Sequence, residues 1–403
     1  MLKVVRVVVA AATRELKVIC HKNYLRQLCV LTTAIVTLVA NCNLSAAVLP
    51  EDRADFLYHG YEGGGLKVGG PSVLVRKSIA DKVSVWGSYY IDSVTSASID
   101  VVTNASEYTE ERDQTSAGID YLRGKTSIGL AWTKSVEGDY EGNAASLSVS
   151  QDFFGDLTTL GVSYSRGWDT ITRNGDETFE EEAIHQSWRV DLTQIVSPSM
   201  ILSLNYEGIS DEGFLNNPYR QVRFVDPSAA RGFSLESERY PGTRTSSAVA
   251  LRALYYLPYR AALKAEGRYY TDSWGISAYN GELAYTHPLE DGVTVDVRYR
   301  YYNQEAADFY SDLFERSNQQ NFLARDKELS SFNSHTVGVG VSYEFETPWL
   351  SFVDRGQASL FFDYILFNYD DFRDLRVEDA SVGAEPLYEF NATVIRAFIS
   401  FWF

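Results

Sequence analysis

The chain has 403 residues, 14% of them aromatic, and 36 basic against 54 acidic side chains, for a net charge of -18. Such an acidic balance argues against nucleic acid as a partner. No stretch after residue 47 approaches the roughly 18 consecutive apolar residues of a membrane helix, and mean hydropathy is only -0.20.

Residues 1–47 read as an export leader. Lys22 and Arg26 form a basic region, residues 28–40 an apolar run, and Ser45-Ala46-Ala47 supply small residues for cleavage. The stretch before the basic region is longer than export needs, which points to a start site assigned too far upstream. Cys42 follows Asn41, a poor context for lipidation. Cys20, Cys29 and Cys42 all fall in this leader, so the mature chain would have no thiol, disulfide or cysteine metal site. The leader is basic, and its removal would leave the product more acidic still.

Residues 48–70 form an N-terminal segment with one possible strand, 55–61, ahead of Gly63-Gly64-Gly65. Period-two alternation then recurs at 72–79, 82–92, 112–122, 125–134, 143–154, 156–168, 185–196 and 200–210. It continues at 246–257, 260–272, 278–286, 293–303, 334–345, 357–369 and 390–403. Most of these are long enough for a tilted strand to cross a bilayer. Short connections (80–81, 123–124, 155, 197–199, 258–259, 287–292) alternate with long ones (93–111, 169–184, 211–245, 304–333, 370–389). Short periplasmic turns and long outer loops are the rule of outer-membrane barrels. With 55–61 as the first strand the count is sixteen, and fourteen or eighteen lie within boundary error. The expected fold is an all-β, transmembrane antiparallel barrel over 71–403, in the outer membrane of a Gram-negative bacterium.

The final strand places Ile395, Ala397, Ile399, Phe401 and Phe403 on one face. In water that face would be an aggregation hazard, whereas lipid would cover it. Its ending resembles the assembly signal of bacterial outer-membrane barrels, and Ile399, Phe401 and Phe403 would carry it to the barrel assembly machinery.

The opposite strand faces carry Arg189, Arg252, Lys264, Arg268, Arg298, Arg300 and Arg396 with Asp191, Glu207, Glu266, Glu282, Asp296, Glu344 and Asp363. A barrel of this size keeps water inside, so charges can stand in its lumen. Equal numbers of each sign speak against a one-sign filter. They suit an opposed-charge constriction that orients a polar solute, or cross-strand ion pairs that prop a narrow lumen. Arg189 with Asp191, and Glu266 with Lys264 and Arg268, are expected pairs. Segments 214–220 and 321–328 mix apolar anchors with charges, as infolded, packed loops would. The acidic loops lack calcium-loop spacing. The glycine-rich stretch 60–70 opens no helix, so no cofactor site is expected there.

His185-Gln186-Ser187 resembles the His-x-Ser pair of outer-membrane phospholipases, but only Asn205 offers itself as an orienting residue. Nucleophile, base and oxyanion donors must coincide for hydrolysis, so a lipid hydrolase is the lesser alternative and no catalytic residue is assigned. A passive solute channel is the other.

Further blocks carry a more specific resemblance: Tyr58-His59 through Gly65, 71–77, 96–103, Gln151 to Leu160, Phe214 to Arg220, and Asp308 to Phe314. These resemble a family of exported bacterial proteins catalogued only as a domain of unknown function (DUF3570). The resemblance implies an envelope barrel whose gene neighbours encode a thioredoxin-like protein, a small lipoprotein and a flavin transferase. By that association, a thioredoxin-like or flavinylated envelope protein is the implied partner, and the implied role is a conduit or docking site for it.

Overall fold

A computed structural model describes residues 48–96, 108–348, 350–377 and 380–403. The expected leader, with its cysteines and cleavage features, lies outside the described residues. So do most of the 96–103 block, the tip of the first long loop, and Glu378 and Asp379 of the last.

In chain order the strands are β1 (Arg53–Gly63), β2 (Leu66–Ala80), β3 (Val83–Ser96), β4 (Tyr108–Arg123), β5 (Thr126–Val136) and β6 (Tyr140–Phe153). Then come β7 (Thr158–Thr172), β8 (Glu180–Ser197), β9 (Met200–Gly213), β10 (Gln221–Val225), β11 (Phe233–Ser237) and β12 (Thr243–Tyr256). The last six are β13 (Ala262–Asp272), β14 (Ser277–Pro288), β15 (Val293–Gln304), β16 (Phe332–Phe345), β17 (Arg355–Arg373) and β18 (Leu387–Trp402). Sixteen of them close one antiparallel barrel in which β1 pairs with β18, while β10 and β11 pair with each other in an outer loop. Closure leaves the barrel wall without an edge, so its backbone groups are satisfied internally.

The strand sought at 55–61 is β1, paired along its whole length with β18 from Arg53↔Trp402 to Gly63↔Ala392. The next strand starts at Leu66, earlier than the alternation suggested, because Gly64-Gly65 makes a two-residue turn. Both glycines have positive φ, 59° and 80°, which such a hairpin requires and other residues adopt at a cost.

Several strands are longer than a bilayer demands; β17 has 19 residues against roughly 9–11 for a crossing. Their outer ends continue as paired ribbons into water, and this shortens the expected loops. Glu180, Glu181 and Glu182, expected in a solvated loop, pair with Thr172, Ile171 and Thr170 on β7. Turns 64–65, 137–139 and 273–276 are short although they lie at the outer end. The alternation of loop lengths is therefore less regular than expected there.

Trp188, Val190, Leu192, Val297, Tyr299, Val337 and Val339 are exposed on the outer wall, and Leu283 is 64% exposed. A closed wall with an apolar exterior and charged residues at the alternate positions is the pattern of a lipid-facing barrel. The protein is an outer-membrane β-barrel. The beginning of β1 and the end of β18 share the short-turn, periplasmic end. There Ile399 lies between Ala358 and Phe56, and Phe401 between Gly356 and Ala54.

Candidate functional site

The sequence-predicted charges sit opposite the exposed apolar positions and are joined mainly across strands. Arg189 and Glu207, in register on β8 and β9, bond at 2.7 Å, and Arg268 reaches the same carboxylate at 2.9 Å. Arg252 bonds Glu266 at 2.7 Å, and Lys264 contacts Glu282 at 2.8 Å and Glu266 at 3.5 Å. Two expected pairs are corrected: Arg189 takes Glu207, and Arg268 likewise bonds Glu207 and not Glu266. Residues two apart on a strand stand farther from each other than directly opposed residues on neighbouring strands, so cross-strand partners prevail.

Farther round the wall, Arg298 donates to Asp363 at 2.9 Å from Nε, and Arg396 meets Asp363 at 3.0 Å. Arg298 is on β15 and Asp363 on β17; Gly338 of β16 lies between them in register. With no side chain at 338, the guanidinium crosses over that strand. Four charges stand outside these three networks. Asp191 accepts from Asn205, Asp296 accepts from Thr286, Arg300 lies 5.7 Å from the Tyr302 ring centre, and Glu344 is 4.0 Å from Arg355.

Above this belt the long outer loops fold into a connected cap. Trp274, Ile276, Ala307, Phe309, Ala324 and Leu329 make one buried cluster, against which Leu215, Tyr240, Tyr270 and Tyr310 pack. Val222, Phe314 and Leu323 make another. The two loop segments expected to be packed, 214–220 and 321–328, are joined directly by Arg220–Asp326 at 2.6 Å. Tyr219 donates to Asp139 of the 137–139 turn at 2.5 Å.

The centre of the cap is charged, which sequence reading did not foresee. Arg223 is 0% exposed and bonds Asp312 at 2.5 Å and Glu385 at 2.6 Å. Arg325 adds a 3.0 Å contact to Asp312, and Arg373 another at 3.4 Å. Burial would push the Glu385 carboxyl up, but Arg223 and the Gly383 N–H hold it below the usual range. Arg223 and Glu385 are 162 positions apart, so no local pattern joins them. The only sequence hint was that Asp312 falls within the family-like block 308–314.

Asp326 caps a single 3-10 turn, Lys327–Leu329, by accepting from the Glu328 N–H. Burial, with Glu328 and Glu238 nearby, pushes its carboxyl up to about 7 against the pull of Arg220. A raised carboxyl pKa in the folded cap means that protonation favours the folded cap. That contribution is complete below the unfolded value near about 4 and disappears as pH rises through about 7. Proteolytic nicking of loop 305–331 should therefore increase from about pH 5 to about pH 8, and Asp326→Asn should flatten the profile. A profile as steep in the variant as in the parent would exclude Asp326 as its source.

Beneath the cap lies a chamber of about 1010 Å³, lined by lumen residues such as Arg268, Arg300 and Tyr302 and by cap residues such as Leu215, Tyr240 and Leu329. His185 also lines it, with Nδ1 at 2.7 Å from Asp211 and Nε2 at 2.8 Å from Asp169. Both ring nitrogens are thus engaged by carboxylates, and neither is turned to Ser187. Asn205, the possible orienting residue, is committed to Asp191.

A family model described as Protein of unknown function (DUF3570) matches residues 103–353. No curated protein matches. Among solved structures, a bacterial polysaccharide outer membrane secretin is similar at TM-score 0.47 and 9% identity, covering 88% of this chain and 100% of that one. The siderophore receptor PirA from Pseudomonas aeruginosa is similar at TM-score 0.43 and 10% identity, covering 88% of this chain and 64% of that one. The outer membrane protein opdK from Pseudomonas aeruginosa is similar at TM-score 0.42 and 9% identity, with 87% and 99% covered.

Proposed function

The chain belongs to the protein family of unknown function DUF3570, and we propose that it is a selective, non-enzymatic conduit whose outer mouth is narrowed by its own loops. The carrying observation is the charged centre of the cap, where Arg223, Asp312 and Glu385 tie three outer segments together. A general diffusion pore needs an unobstructed mouth, whereas an ordered cap of this kind suits regulated or solute-specific passage. The paired lumen charges support the same reading, since they can set a local field without giving the pore one overall sign. The engagement of His185 by two carboxylates speaks against its service as a general base, and so against lipid hydrolysis.

In planar bilayers the unmodified protein should show low or no steady conductance. Deleting residues 320–329, which carry Leu323, Arg325 and Asp326 of the cap, should raise it. Large, stable conductance from the parent would refute the narrowed-mouth reading and favour passive diffusion. The docking part of the proposal rests on the family resemblance and concerns a thioredoxin-like or flavinylated envelope protein. Crosslinking in cells should recover such a protein; recovery of assembly machinery alone would remove that part.

A further inference from the structure

We propose that the chamber beneath the cap binds a small zwitterionic solute of the amino-acid or dipeptide class, its ammonium end toward one wall and its carboxylate end toward the other. This deepens the conduit reading and rests on it. Its basis is the distribution of charge around a single cavity. On one side stand Glu110, Glu137 and Asp139, from the outer ends of β4 to β6. Among the described residues, the cation at ion-pair distance from these three carboxylates is Arg112, 3.5 Å from Glu137. Glu110 accepts from the Gly138 N–H at 3.2 Å and Asp139 from the Tyr219 hydroxyl at 2.5 Å, neutral donors that leave the negative charge uncancelled. Burial pushes the Glu137 carboxyl up, and Glu110 and Asp139 add to that against Arg112.

The other side carries Arg268 and Arg300, with Asp326 and Glu328 lining the chamber from the cap. Arg268 lines the chamber and shares the Glu207 carboxylate with Arg189, so two guanidinium groups face one anion. Arg300 also lines it and, among the described residues, has no carboxylate at ion-pair distance. Glu282, opposite it in register, is engaged by Lys264 at 2.8 Å. The strand order sets the two walls across from each other: in the ring of sixteen, β13, which carries Arg268, is seven strands from β4, and β15, which carries Arg300, is eight from β5. A lumen charged oppositely on its two sides carries a transverse field. A solute with separated charges of both signs gains from that field at both ends, while a simple cation or anion gains at one. The chamber, about 1010 Å³, is at the upper end of the range for small-molecule sites.

The test is calorimetry on the detergent-folded full chain with glycylglycine, acetate and methylammonium as probes at one low salt concentration. Glycylglycine should bind at least about tenfold more tightly than either single-charge probe. Arg300→Gln and Glu137→Gln should each weaken it several-fold and abolish the preference, while both variants keep the parent's heat-modifiable gel mobility. Equal affinity for all three probes, or an unchanged preference in both correctly folded variants, would overturn the proposal. Conductance separates the two readings: zwitterion binding to a parent with large porin-like conductance upholds the chamber site and refutes the narrowed mouth. A low-conductance parent without that preference does the reverse.

Discussion

Replacing Asp312 by alanine should loosen the cap and raise the conductance of the barrel several-fold while the barrel itself stays folded. Asp312 is 5% exposed and bonds Arg223 at 2.5 Å, Arg325 at 3.0 Å and Arg373 at 3.4 Å. Removing it leaves two buried guanidinium groups short of a counter-charge. Breaking such a pair from one side costs about 3–5 kcal/mol when the remaining ion is left uncompensated, and Glu385, which stays on Arg223, should hold the loss toward the lower end. The cost falls on the outer loops. The sixteen-strand ladder does not depend on Asp312, so heat-modifiable mobility in gels should persist. Asp312→Asn keeps an acceptor and should have a smaller effect. Bilayer conductance and protease sensitivity of loop 305–331 read the outcome, and a variant unchanged in both would show that this carboxylate does not hold the cap.

Gly338→Val should impair barrel assembly, and here the cause is steric as well as electrostatic. A Cβ at 338 would stand 2.1 Å from Asp363 Oδ1 and 2.7 Å from Arg298 Cγ, far inside contact distance. Either the Arg298–Asp363 bridge breaks or β16 shifts in register. Asp363 is 3% exposed, so losing Arg298 leaves Arg396 as its cationic contact and costs on the order of 3 kcal/mol. Refolding yield and the urea midpoint of the heat-modifiable band measure this. Gly281→Val is the matched control, because a Cβ there meets nothing within 4 Å. Equal behaviour of the two variants would sink the argument.

The barrel was legible in the sequence because strand physics is local. Side chains alternate faces every residue, so Val297 and Tyr299 against Arg298 and Arg300 can be read without a partner strand. Lipid outside and water inside then impose the same alternation on strand after strand of the barrel wall. The packed character of 214–220 and 321–328 was also readable, since apolar residues in an outer loop need somewhere to go.

What the alternation leaves open is which strand lies beside which charge and what the loops touch. Arg189 could choose Glu207 over Asp191 only once β8 and β9 had a register. Arg298 could reach Asp363 only because β16 presents a glycine between them. The cap depends on closure itself, which brings Arg223, Asp312 and Glu385 together from three separate loops. Likewise, Glu137 and Arg300 face one chamber because sixteen strands complete a ring. Alternation along one strand determines inside from outside; only closure in three dimensions determines opposite from adjacent.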